Sequence, residues 1–317
     1  MKFYLLPTIF LFSLLAGCAA QPTTSVVLTV RPAATDTPVP QAQAGLEDVV
    51  GNLEYSGILP DRSIKLNDGY ANYEDGSSKL PYVELAGNLI PGGDLNGDGS
   101  LDAVAVLVDN TTGTGDFVYF VPVLNVLSEP VPLQAFLVGD RIPVKSLAIE
   151  GGQVTAELIM PGLGDPSCCP TQNVRKVYEY ENGQLVEKSS QERGRVNLAD
   201  LDGTRWRLVD LNHDQEPLLP ETEITLVFDQ GQISGFAGCN DYSSPVTGDE
   251  ELPQVFSVGP VALTGKLCSD PISTQEASFL YRLESVVAWW YDFGYLALTY
   301  KIDENSLGVL RFEPQAP

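Results

Sequence analysis

Apolar residues along this chain fall into three regimes, and each predicts a different kind of element. From Phe3 to Leu15 they run almost unbroken, from about Leu46 to Val196 they come in short bursts between turn residues, and near the C-terminus one stretch recurs with helical spacing. In the middle regime, residues 103–108 and 117–121 are β-branched and aromatic runs on either side of a Gly/Thr-rich turn at 110–115, which predicts two paired strands. Residues 142–149 and 153–159 flank Glu150-Gly151-Gly152, and residues 177–180 meet 184–186 across Asn182-Gly183. Asn-Gly between alternating apolar residues is a strong short-range hairpin signal, because both turn positions need positive φ. The absence of any repeat of 20 to 50 residues argues against a propeller or solenoid.

Further along, residues 224–228 and 232–236 predict a hairpin over Asp229-Gln230-Gly231, and residues 295–300 and 307–312 predict another. Between them, Phe279, Leu280, Leu283, Val286, Val287 and Trp290 fall on one face of a helix spanning 275–291, with Ser273 or Thr274 as its cap. The fold class that follows is α+β: a mostly-β middle domain over 46–196 and a C-terminal domain over 197–317 with one helix laid on a sheet.

The N-terminus changes the picture. Met1-Lys2 and the apolar run to Leu15 form the charged and hydrophobic regions of an export signal. The run is shorter than the roughly 18 to 20 residues needed to span a bilayer. Leu15-Ala16-Gly17-Cys18 resembles a bacterial lipobox, which implies a signal peptide over 1–17, acylation of Cys18 and anchoring to a membrane outside the cytoplasm. An ordinary signal peptide cut near Ala20 would instead leave a soluble secreted protein. Residues 18–45 are rich in Pro, Thr, Ala and Gln, a composition that cannot bury enough apolar surface to offset its ordering entropy, so they read as a disordered tether.

Composition narrows the partners. The 317 residues are 44% hydrophobic, enough for packed cores, and the net charge of -24 repels phosphate backbones and anionic head groups, which excludes nucleic acid. His213 is the single histidine, so any Ser-His-Asp or Cys-His arrangement depends on it alone, and no metalloprotease, nucleophile-elbow, phosphate-loop or dinucleotide motif appears.

Three stretches carry candidate chemistry. Residues 94–102 read D-x-N-x-D-G-x-x-D, in which Asp94, Asn96, Asp98 and Asp102 and the backbone carbonyl of Ser100 offer hard oxygens to one calcium ion. Position twelve of an EF-hand would be Ala105, so the stretch looks like the shorter calcium loop that precedes a strand in integrin-type repeats; the alternative is an acidic turn that only bends the chain. Cys168 and Cys169 are adjacent, with Cα atoms about 3.8 Å apart, below the usual disulfide range. They read as a vicinal bridge, structural or redox-labile, or as two free thiols, and without neighbouring histidines they make a poor zinc site. Trp289-Trp290-Tyr291 fits core packing or the lining of a ligand groove.

Several separated blocks of the C-terminal third point to a family. Leu201-Asp202-Gly203-Thr204-Arg205-Trp206-Arg207-Leu208, the signature from Ile233 to Tyr242, the 263–268 segment, the helix bearing Glu276 and the strand from Gly294 resemble, in order, a META domain of the HslJ-like type. The resemblance implies a curved antiparallel sheet around one helix, common in bacterial envelope proteins, with heat- or stress-related roles and no known catalysis. Leu267 departs from the methionine-alanine pair that more often precedes the cysteine. The middle domain resembles uncharacterised segments beside META domains in lipoproteins. Within the C-terminal domain Cys239 and Cys268 are the favoured disulfide, one of three connectivities open to the four cysteines other than Cys18. The reading that results is a lipid-anchored, non-catalytic binding or envelope-maintenance module. A carboxylate-dependent hydrolase in the middle domain and a calcium-dependent adhesin are the alternatives.

Overall fold

The computed structural model describes residues 45–72, 81–86, 89–111, 115–166, 168–211 and 217–316. Cys18, the signal and tether regions, and His213 lie outside the described residues. The described residues share one unit, Pro38–Pro317, built from 22 strands and two α-helices among them. No helix among the described residues is long and apolar enough to cross a membrane.

The middle of the chain folds as two antiparallel sheets packed face to face. Asp102–Asp109 is the central strand of the first, paired on one side with Phe117–Val126 and on the other with Tyr82–Leu85. The second is a meander of Val144–Glu150, Gln153–Met160, Gln172–Glu181 and Gln184–Arg195. Successive residues of a strand point to opposite faces, so the run from Ala103 to Val108 serves two cores. Val104 and Val106 meet Val154, Ala156, Leu158 and Tyr178 between the sheets. Ala103, Ala105 and Leu107 face a second core closed by Val50, Tyr55, Ile64 and Leu66 from the N-terminal segment. Burial on both faces explains why this strand is continuously apolar instead of alternating. Its end at Asp102 is equally buried, and the carboxylate accepts backbone N–H groups from Leu95 at 2.9 Å and Asn125 at 2.9 Å.

The hairpins fall where the pattern places them. Asn182 and Gly183 take φ of 51° and 92°, the paired positive values that an Asn-Gly turn supplies at low cost. A five-residue helix, Leu46–Val50, is an addition too short to register as periodicity.

The C-terminal sheet runs in the spatial order Phe256–Val258, Asp241–Gly248, Gln232–Phe236, Thr225–Asp229, Arg205–Asp210, Leu307–Pro314, Tyr295–Lys301, Val286–Asp292, all antiparallel. It curls until its edges meet. Val255 bridges Ala288, and the Trp289 N–H donates to the Gln254 carbonyl at 2.8 Å, so neither edge is left as an open template. Inside the curl lies the helix Ile272–Glu284, whose buried Phe279 packs edge-on against Tyr242 and Phe312 at 5.7 and 6.5 Å between centroids.

The helix is shorter than its apolar spacing predicts. It stops at Glu284, and Val286–Asp292 is a strand paired with Tyr295–Lys301. Val286, Val287 and Trp290 fit a helical stripe by spacing, but β-branched and aromatic residues favour a pleated surface, and the strand partner is available. The reversal seats Trp289 and Tyr291 in the core and leaves Trp290 half-buried on the other face. The expected cap is also displaced. Ser273 and Thr274 lie within the first turn, and both hydroxyls donate to Asp270, at 2.6 and 3.0 Å.

Candidate functional site

The acidic loop at 94–102 is closed by its own hydrogen bonds. The Asp94 carboxylate accepts the N–H groups of Gly97, Asp98 and Gly99 at 2.8, 3.2 and 2.9 Å. Asn96 accepts from the Asp98 N–H at 2.9 Å and donates its amide to the Asp98 carboxylate at 2.9 Å, and Asp98 accepts the Ser100 N–H at 2.7 Å. The Ser100 N–H first, and then the Asn96 amide, hold the exposed Asp98 carboxyl below its ordinary range. Gly97 and Gly99 take φ of 79° and 83°, which lets the loop reverse direction between these side chains. Asp102 belongs instead to the buried strand end. Among the described residues no group of three His, Cys, Asp or Glu side chains is gathered to hold a metal. The cavity against Leu101 and Ala103 is apolar, lined also by Val49, Val123, Leu124 and Pro130.

All four cysteines other than Cys18 are placed in bonded pairs. Cys239 and Cys268 are joined with Cα atoms 6.2 Å apart, within the usual disulfide range. Cys168 and Cys169 are joined to each other. Their turn is clamped at its base by Asp165, which accepts the N–H groups of Gly162 and Thr171 at 2.7 Å each and the Thr171 hydroxyl at 3.0 Å. Burial alone would raise the Asp165 carboxyl. The two N–H donors, the Thr171 hydroxyl and the Arg195 charge outweigh it and hold the carboxyl below its ordinary range.

The bridged turn forms part of a cleft where the two halves of the unit meet. The cleft encloses about 380 Å³, and its lining includes Asp116, Arg141, Cys168, Cys169, Trp290 and Asp292. Phe293-Gly294 fixes this meeting. The pair turns the hairpin between Val286–Asp292 and Tyr295–Lys301 with φ of 47° and 86°, and Phe293 packs against the core between the middle sheets. A phenylalanine in the left-handed region is disfavoured by its Cβ, and its contacts with the neighbouring core offset that cost. The Gly294 N–H donates to the Val144 carbonyl at 2.9 Å, and the Gln254 amide donates to the Pro170 carbonyl at 3.0 Å, behind the cysteine turn.

The polar groups of the cleft are held by neighbours. The Arg141 N–H donates to the Asp116 carbonyl at 2.8 Å, the Arg141 guanidinium pairs with Asp140 at 2.7 Å, and Asp292 pairs with Arg311 at 2.8 Å. Burial pushes the nearby Glu84 carboxyl up, Asp292 and Asp116 add to this, and Arg311 opposes it. Glu84 was not among the residues singled out by sequence, and neither were Asp116, Arg141 and Asp292. They come from separate strands and loops, and only the cysteine pair and the tryptophan pair were conspicuous along the chain.

The signature from Ile233 to Tyr242 is engaged in architecture. The Asn240 N–H and side-chain amide both donate to the Glu276 carboxylate, at 2.7 and 3.0 Å, which ties the turn to the helix. Its amide oxygen accepts the Thr264 hydroxyl at 2.9 Å and the Lys266 N–H at 2.8 Å, which ties the same turn to the segment bearing Cys268. The buried Asn240 and the half-buried Glu276 are thus a satisfied pair joining sheet, loop and helix. The family model of the META domain matches residues 199–314. This is the META segment of the chain.

The match begins inside the short 3₁₀ turn Leu198–Leu201 and ends at the last residue of the closing strand, so it takes in the whole curled META sheet and its helix. No curated protein matches the chain. A solved structure titled "NMR structure of the protein from Burkholderia xenovorans" is 21% identical, covers 41% of this chain and 97% of its own, and aligns with a TM-score of 0.30.

Proposed function

We propose that this chain is a lipid-anchored extracytoplasmic module that binds a ligand or envelope partner without transforming it, in an envelope-maintenance or stress role. The observation that carries the reading is the META domain, whose signature residue Asn240 ties the sheet to the helix and to the segment bearing Cys268. The net charge of -24 disfavours nucleic acid as the partner. Two acyl chains on Cys18 would hold the protein at a membrane surface, whereas one chain alone gives only marginal binding. Expressed in a bacterial host, the wild-type chain is expected to incorporate labelled palmitate and sediment with membranes. Cys18→Ser is expected to lose the label and move to the soluble fraction. A wild-type chain that is unlabelled and stays in the cytoplasm would overturn the reading.

A second reading concerns the acidic loop, which presents the ionised, exposed Asp98 carboxylate beside Asn96 and Asp94. In this reading Asp94, Asn96, Asp98 and the Ser100 carbonyl take up calcium, which braces the loop ahead of the strand Asp102–Asp109, while the buried Asp102 of the calcium-type pattern stays with the Leu95 and Asn125 N–H groups. Calcium at a hundred times its Kd would add about 2.7 kcal/mol to stability. Melting the chain in calcium and in chelator is the check. Wild type is expected to melt higher in calcium and Asp98→Ala is expected not to respond; identical melts for wild type in the two conditions would remove the site.

A further inference from the structure

We infer that the cleft between the middle sheets and the META sheet is a binding site for an uncharged saccharide, seated on Trp290 and the Cys168–Cys169 bridge. This assignment rests on the reading of the chain as a binding module and names its ligand class. The floor and the rim of the cleft each argue for it.

The floor presents flat, polarizable, weakly polar surface. Ala288, Trp290 and Asp292 alternate along one face of the strand Val286–Asp292, while Trp289 and Tyr291 are consumed by the core. Trp290 is therefore the half-buried indole of the pair, and the exposed Cys168 and the buried Pro170 line the same cleft. The C–H face of a six-membered sugar ring stacks on such surface, and an indole that also bears a donor N–H suits a ligand wetted at its edges. The turn that carries the sulfurs is fixed by Asp165 and by the Gln254 amide on Pro170, so the platform is formed before any ligand arrives.

The rim presents two carboxylates, Asp116 and Asp292, and one guanidinium, Arg141; the Asn110 amide donates to the Asp116 carboxylate, Arg311 pairs with Asp292, and Asp140 pairs with Arg141. Carboxylates accept and guanidinium donates in paired geometry, which matches neighbouring hydroxyls that both donate and accept. Arg141 pairs with Asp140 and Arg311 with Asp292, so both of these cations are already matched by a carboxylate, which disfavours an anionic ligand. A cleft of about 380 Å³ is within the range of about 300–1,000 Å³ seen for small-molecule sites.

The test uses the full mature chain in detergent, titrated by calorimetry with maltotriose, tri-N-acetylchitotriose and mannotriose, and with a phenylalanine dipeptide for comparison. At least one trisaccharide is expected to bind with Kd below about 1 mM. Trp290→Ala is expected to weaken it at least tenfold, and Cys168→Ser/Cys169→Ser to weaken it as well, whereas Trp206→Phe in the META sheet is expected to leave it unchanged. If Trp290→Ala does not fold, Asp116→Asn, which keeps the shape of the rim, is expected to show the loss. Three silent trisaccharides, binding indifferent to Trp290 and Asp116, or capture of the dipeptide alone would each overturn the assignment. A chain that fractionates with membranes yet binds none of the sugars sinks this site and leaves the anchored-module reading standing.

Discussion

Cys239→Ser/Cys268→Ser is expected to lower the stability of the chain by about 3.5 kcal/mol, the loop-closure value for a bridge spanning 29 residues. At roughly 2–4 °C per kcal/mol for a unit of this size, the melting temperature should fall by about 7 to 14 °C. The bridge ties the turn at Cys239 to the segment before the helix, and Asn240 holds the same two pieces of chain through Thr264 and Lys266. Without the covalent link, those hydrogen bonds alone must order the 264–268 segment. Denaturant unfolding of wild type with and without a dithiol reductant is the direct check, since reduction should reproduce most of the double variant's loss. A midpoint indifferent to reductant would show that Cys239 and Cys268 are not joined in the folded protein.

Gly235→Ala is expected to cost about 3 kcal/mol, at the upper end for overpacking a closed site. A Cβ at this position would lie 2.0 Å from the Thr225 carbonyl oxygen and 3.0 Å from the Tyr242 ring. Neither neighbour can yield cheaply. The Thr225 carbonyl is backbone of the paired strand and accepts the Tyr242 hydroxyl at 2.8 Å, and the Thr225 hydroxyl accepts the Phe236 N–H at 2.9 Å. The first glycine of the signature is there because two strands and a tyrosine approach where a methyl group would sit. Gly231 is the contrast. It has φ of 78° with open space around its Cβ position, so Gly231→Ala meets only the left-handed backbone penalty of about 1–2 kcal/mol. Urea unfolding of both variants decides the matter; a Gly235→Ala loss no larger than that of Gly231→Ala would remove the steric account.

The parts of the fold that were legible in sequence are those whose signals are local. Asn182-Gly183 and Gln230-Gly231 announce hairpins because positive φ must be supplied by the turn residues themselves, and both hairpins stand where their sequences place them. The unbroken apolar run from Ala103 to Val108 predicts a strand without saying what covers it. Two cores do, and one is built by residues up to 57 positions earlier, from Val50 onward. The end of the helix was not legible. Val286, Val287 and Trp290 satisfy helical spacing, and the turn that makes them a strand uses Phe293 in a conformation sequence would assign to glycine or asparagine. That conformation is sustained by contacts with a core formed elsewhere in the chain.

The candidate sites divide along the same line. The acidic loop could be read as a loop because its donors and acceptors lie within nine residues, Asp94 to Asp102, and answer one another there. The cleft could not, since Asp116, Arg141, Cys168 and Trp290 meet only when two separate sheets pack.

By itself the sequence determined the strand pattern, the hairpin turns, the META signature of residues 199–314 and the adjacency of Cys168 and Cys169, all properties of short stretches of chain. The tertiary structure alone decided where the helix ends, which tryptophan faces the core, why Gly235 admits no side chain and which groups share a cleft. Each of those depends on the proximity of residues far apart in the chain, and proximity of that kind is settled by the packing of apolar faces, which no local pattern encodes.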